Sequence, residues 1–388
     1  MKRHRLLIPF LLLLLHTSLY GQAPVIQWQK IYGSSYLDYP YSIRATADGG
    51  FIVTGQTQGN DGDVVGYHGN IGPNIALGDL WVIKMDGAGE VQWKKCLGGT
   101  WNEELGGDIL QTPDGGYLVA GPSASIDCYL PPNHGSLDCY LVKLSPAGEI
   151  QWQKMLGGVY NEYPTSLSAT ADGGYIIGGY TNSKDIPGYH DNNNPGNNFD
   201  WWVVKVDATG NIQWQKALGG TGNDQCFSVS ATPDGGCIAA GSTASTDGDV
   251  TVFHGATDAW VVKLSNTGAI QWQKELGGAY QDGAQSIQLT ADGGYIMAGY
   301  AGSNDGDVSG NHVGFAVGFR DFWVVKFSSS GTVQWQKCYG GNANETAFAI
   351  RATPDGGYLV AGDAESHDGD LSCNAGSLQM PLSGSTRH

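Results

Sequence analysis

Six tryptophans, Trp28, Trp93, Trp152, Trp214, Trp272 and Trp335, each open a W-x-K triplet, and they stand 65, 59, 62, 58 and 63 residues apart. A chain that repeats at a fixed period is built of like units, and a unit too small to bury its own faces must stack on its neighbours. The fifth unit shows the parts. "QSIQLT" alternates, "ADGG" turns, "YIMAG" follows, and a long polar loop leads to "FWVVKF"; "SSSG" then turns into "TVQWQK".

The turns carry a mechanism. T-A-D-G-G at Thr46, Thr170 and Thr290, and T-P-D-G-G at Thr112, Thr232 and Thr353, each join two apolar runs. Proline presets the first turn position, aspartate bonds its own backbone, and glycine supplies φ > 0. A second tight turn, "SPAGE" from Ser145 or "SNTGA" from Ser265, joins the next two runs. Helical periodicity is absent from the repeats, so each unit reads as a four-stranded antiparallel meander.

Radial repetition of such sheets gives an all-β fold, a β-propeller. A stacked β-solenoid is the competing architecture, but its coils are shorter than these units. The expected fold is a propeller of six four-stranded antiparallel blades over residues 22–371, followed by a divergent or truncated tail at 372–388. The last repeat has only "FAIRAT" and "YLVAG", while "VIQWQK" at Val25–Lys30 is an orphan fourth strand. We therefore expect the last blade to be incomplete and closed by the amino-terminal strand.

Three stretches together, W-x-K-x-L-G-G, then D-G-G-Y-I-x-A-G, then D-x-W-V-V-K, resemble the bacterial β-propeller repeat family over residues 25–371. The resemblance implies a secreted or cell-surface protein and no common catalytic activity. The family name implies seven blades, where this chain supplies material for six.

Residues 1–21 follow secretory grammar: basic Lys2, Arg3 and Arg5, apolar Leu6 to Leu15, then a polar stretch with small residues ending at Gly21. Cleavage there takes the formal charge from −17 to −20. So acidic a chain repels nucleic acid and anionic lipid, and no second apolar run calls for membrane insertion. The expected location is secreted or cell-surface. The lysines recur in register, Lys84, Lys143, Lys205, Lys263 and Lys326 ending one strand of each unit, and they read as a solvated ladder. Of seven cysteines, Cys128 and Cys139 flank one loop and are the expected disulfide.

The long loops share one face with the links between units, and loops on a rigid scaffold are where binding groups sit. That face carries "DGDVVGYH" with Asp61, Asp63 and His68, "DGDVTVFH" with Asp247, Asp249 and His254, and "DGDVSGNH" with Asp305, Asp307 and His312. Three readings compete: a calcium loop built on the six aspartates, a transition-metal ring of histidines that includes His134 and His190, or an ordinary Asp-Gly turn with a packing histidine. The last is the default, because the motif is short for a calcium loop and lacks a closing glutamate. No cofactor is required. Departures from the repeat pattern include Trp101 with Glu103 and Glu104, the asparagine-rich Asp191 to Asn198, and Arg320. The expected function is a non-catalytic binding or scaffold module that presents the long-loop face to a glycan or surface protein. The alternative is a carbohydrate-active enzyme using loop carboxylates.

Overall fold

The structure is a computed structural model that describes residues 26–69, 71–72, 75–76, 78–101, 106–127, 130–190, 198–312 and 319–371. The proposed leader at 1–21 and the tail at 372–388 lie outside the described residues, as do Glu103, Glu104 and Cys128. The chain divides into a short unit, Met1–Ile31, and a large one, Tyr32–His388.

The large unit is all-β. Five four-stranded antiparallel sheets follow one another along the sequence, and a two-stranded sheet comes last. Sheet 3 shows the pattern, with Glu162–Ala169, Tyr175–Thr181, Asp200–Val206 and Ile212–Leu218 hydrogen-bonded in chain order. The same four strands build sheet 1 from Asp38–Ala45, sheet 2 from Asp108–Gln111, sheet 4 from Gln225–Ala231 and sheet 5 from Asp282–Leu289. Sheet 6 has Glu345–Ala352 and Tyr358–Ala364. The first strands of all six line one central cavity. Sheets arrayed around a cavity by their first strands are a β-propeller.

The core lies in slabs between consecutive sheets. Ile238, Val261 and Leu276 of sheet 4 pack on Ile287, Met297 and Trp323 of sheet 5, and Ile176, Val203 and Leu218 of sheet 3 on Val229, Ala239 and Trp260 of sheet 4. A third strand is covered on both faces, so "DAWVVKL" at Asp258–Leu264 is buried at all seven positions. That is why the third strands read as unbroken apolar runs. The fourth-strand tryptophans peg neighbouring sheets together. Trp214 donates its indole N–H to the Asn266 carbonyl at 2.9 Å, and its ring covers Gly268 in the tight turn of the next sheet, where φ is +77°.

Two expectations are corrected. Residues 26–31 form no strand, and among the described residues sheet 6 has two strands. A fourth strand takes its ladder from the third strand beside it, as Trp214 pairs with Lys205, and among the described residues sheet 6 offers no third strand. The five strand-ending lysines do not form a solvated ladder. Lys84, Lys143, Lys205, Lys263 and Lys326 are buried, and each ammonium pairs with the turn aspartate of its own sheet, Asp48, Asp114, Asp172, Asp234 and Asp292, at 2.7–2.9 Å. Cys139 is a free thiol buried in the slab between sheets 2 and 3, and Cys128, its expected disulfide partner, lies outside the described residues.

The seam between the last sheet and the first is different from the others. Ile43 is 60 % exposed, whereas its counterparts Ile109 and Ile287 are at 0 % and 2 %. Leu359 is 64 % exposed against 0 % for Ile176 and Ile296. Among the described residues sheet 6 has no third strand to cover them.

Candidate functional site

On the long-loop face the recurrent histidines and aspartates bind one another. In five sheets the aspartate that opens the third strand holds the loop histidine. His68 Nδ1 lies 2.8 Å from Asp79 Oδ2, His134 2.7 Å from Asp138, His190 3.0 Å from Asp200, His254 2.9 Å from Asp258 and His312 2.6 Å from Asp321. The same Oδ2 also accepts the histidine backbone N–H. The hydrogen bond that the His68 ring donates to Asp79 pushes the His68 pKa up. The other ring nitrogen reaches the following sheet, where His254 Nε2 is 3.6 Å from Asp307 and His312 Nε2 is 3.6 Å from Asp370.

The remaining motif carboxylates hold the links. Asp61 accepts from the Ser35 backbone and hydroxyl, Asp247 from the Thr221 N–H at 2.7 Å and Asp305 from the Ala279 N–H at 2.9 Å. Asp63 accepts from Gly33 and Lys94, and Asp249 from Gly219. Val64, Val250 and Val308, which follow them, plug the core. D-G-D-V-x-x-x-H is thus a clasp from sheet to sheet. Among the described residues no group of three or more such side chains is arranged to hold a metal ion.

One detail of the clasp is chemically unusual. The five third-strand aspartates are fully buried, and in each Oδ1 has no hydrogen-bond partner. A second carboxyl faces it from the next sheet. A methyl group added to Gly219 would lie 2.9 Å from Asp200 Oδ1 and 2.4 Å from Asp224 Oδ2, and one on Gly277 would meet Asp258 and Asp282 in the same way. Asp224 is fully bonded, to Gly220, Thr243, Ala244 and Ser245. Burial, reinforced by the charge of Asp224, pushes Asp200 from 3.8 to about 7, and burial likewise raises Asp79, Asp138, Asp258 and Asp321.

Exposed aromatic rings of this face lie in the links. Tyr36, Trp101 and Tyr280 occupy equivalent positions, each just after the residue whose backbone N–H the loop aspartate holds. They are 48 %, 54 % and 42 % exposed. At the same position Tyr160 lies under the Lys184 ammonium, 5.9 Å from its ring centre. Arg320 stacks on Tyr300 at 4.3 Å and donates to Gln281. Of the asparagine-rich loop, 191–197 lie outside the described residues.

The central cavity, about 590 Å³, is lined in layers by the six first strands. Tyr41, Phe227 and Phe348 stand nearest the long-loop end. Next come Ser42, Asp108, Ser166, Ser228 and Ser286, then Arg44, Ser168, Ser230, Gln288 and Arg351 toward the tight turns. The serines stitch adjacent sheets, Ser166 Oγ accepting from the Val229 N–H at 3.1 Å and Ser228 Oγ from the Ile287 N–H at 3.1 Å. Asp108 takes that place in sheet 2. It accepts from the Leu167 N–H, from Ser42 at 2.5 Å and from the Arg44 guanidinium at 2.8 Å. Sequence reasoning missed this cluster, whose only signal is the unlike residue in a column of serines when the first strands are aligned.

No family model matches this chain. It is 24 % identical over 360 residues to the regulatory protein FlaEY of Caulobacter vibrioides, a match that covers 85 % of this chain but only 36 % of that protein. Among solved structures it is similar to hydrazine synthase of Kuenenia stuttgartiensis, with 10 % identity, 86 % of this chain and 75 % of that one covered, and a TM-score of 0.49. It is also similar to the WD40 domain of Neurospora crassa Pan2, with 11 % identity, coverage of 77 % and 65 %, and a TM-score of 0.44. A protein of unknown function from Bacteroides caccae matches at 15 % identity, with coverage of 77 % and 81 % and a TM-score of 0.42.

Proposed function

We propose that this chain is an exported binding module, a six-bladed propeller of the bacterial repeat type that presents its link loops to a glycan or a surface protein. The observation that carries the reading is the set of exposed aromatics, Tyr36, Trp101 and Tyr280, at equivalent positions on one face. Large amphipathic rings left in water on a rigid scaffold are characteristic of recognition surfaces. The clasp histidines and aspartates hold the loops under them and leave contact with the partner to the rings. The Caulobacter relative is named a regulatory protein, and capture of a partner is one means of regulation. Export rests on the basic, apolar and small-residue order of residues 1–21.

A polysaccharide and surface-protein binding screen tests the proposal. The chain lacking residues 1–21 should bind at least one member, and the double variant Trp101→Ala, Tyr280→Ala should bind about tenfold more weakly or worse at unchanged Tm. Binding indifferent to both substitutions sinks the link-loop reading. Release of sugar product would favour the carbohydrate-active enzyme instead.

A further inference from the structure

We infer that the tight-turn end of the central cavity is a binding site for a carboxylate-bearing sugar, with Arg351 as its anion anchor. This inference is independent of the link-loop reading, since the cavity lining and the link aromatics are separate residues.

Charge is the first reason. In a chain of formal charge −17, two guanidinium groups, Arg44 and Arg351, share one cavity with one nearby carboxylate, Asp108. Arg44 spends its charge on Asp108 at 2.8 Å and its Nε on the Ile109 carbonyl at 3.2 Å. Arg351 donates from Nη1 to the Ile350 carbonyl at 2.8 Å, and among the described residues no carboxylate lies within ion-pair distance of it. One positive charge is therefore left over at this end. Burial and the neighbouring Arg44 act against the charged form of Arg351 while Asp108 acts for it, and an anion beside the pair offsets the repulsion between the two guanidinium groups. A guanidinium offers a planar fork of donors that matches a carboxylate.

The rest of the lining selects the body of the ligand. Ser228 and Ser286 each accept one backbone bond through Oγ, from Ile287 and Ile350, which leaves the hydroxyl hydrogen to donate. Gln288 steadies the Arg351 guanidinium, its amide oxygen accepting from Arg351 Nη1 at 2.8 Å and its amide N–H donating to the Ile350 carbonyl at 3.2 Å. Farther in, Phe348 is 55 % exposed and Tyr41 37 % exposed toward the same space. Hydroxyl donors and aromatic faces around one cation suit a ring with many hydroxyls and one carboxylate. The cavity volume lies within the range of small-ligand sites.

The test is calorimetric titration of the chain lacking residues 1–21 with D-glucuronate and, separately, D-glucose, at low and high salt. We expect saturable binding of glucuronate, weaker binding of glucose, and loss of affinity as salt rises. Arg351→Gln should weaken glucuronate binding about tenfold or more, and Trp101→Ala should leave it unchanged. If Arg351→Gln lowers Tm, Arg351→Lys serves in its place, keeping the charge while losing the fork. No glucuronate binding, equal binding of the two sugars, indifference to both Arg351 variants, or loss on Trp101→Ala would each overturn the assignment. Loss on Trp101→Ala would also move the sugar to the link face and support the other reading.

Discussion

Asp200 sits where water does not reach, with one oxygen fully used by His190 and the other turned toward a second carboxyl group. A proton on Oδ1 removes the repulsion and supplies a donor, which is the physical content of its rise to about 7. Because the folded value lies above the unfolded one, its contribution to stability is complete below about pH 4 and disappears as pH rises through 7. Asp200→Asn copies the protonated form. It should match the parent at pH 5 and exceed it in Tm by about 2 °C or more at pH 8; a lower Tm at both pH values would refute the shared-proton account. The turn aspartates behave oppositely. Lys205, and then Thr170, hold Asp172 down to about 2, so its contribution is present above about pH 4 and is lost as pH falls toward 2. Lys205→Met should flatten that acid limb in a melting series from pH 2 to 5. Both residue types recur in register and were visible in the sequence. The burial of the third-strand aspartates and of the lysines that pair with the turns was not, because period-two alternation assigns a face without saying what covers it.

Individual strands and turns were the most legible level, since D-G-G and S-x-x-G encode their turns locally. What joins one sheet to the next was less so. Gly268 needs its positive φ for the turn and its bareness for the Trp214 ring, which a methyl group would approach to 2.9 Å. Gly268→Ala should therefore cost about 2 kcal/mol or more, read by denaturant unfolding. Two residues 54 apart in sequence, Trp214 and Gly268, produce that contact, and no short window on the chain contains both. The clasp is similar: His254→Ala removes the side-chain bonds to Asp258 and Asp307 at once and should cost about 1–2 kcal/mol. Retained stability would mean that the backbone N–H of residue 254 alone suffices. The D-G-D-V motif pointed correctly to the loops, yet the partners of its carboxylates come from the preceding link, which sequence spacing could not indicate.

At the scale of the molecule, the period of the tryptophans made the propeller legible, and the cavity chemistry was hidden in columns of residues some sixty apart. Export can be checked directly, because the mass of protein recovered outside the cell should lack residues 1–21; intact Met1 in that pool would refute cleavage. The exposed Ile43 and Leu359 have a kinetic meaning as well. A closed circle of sheets can open only by losing two seams together, whereas a stack with one uncovered seam already has ends. Ends fray, and opening can travel inward one sheet at a time, as in other repeat arrays. Amide hydrogen exchange should accordingly be fastest in Tyr358–Ala364 and slowest in Asp200–Val206, which would make the lifetime of the folded state a property of its last hairpin.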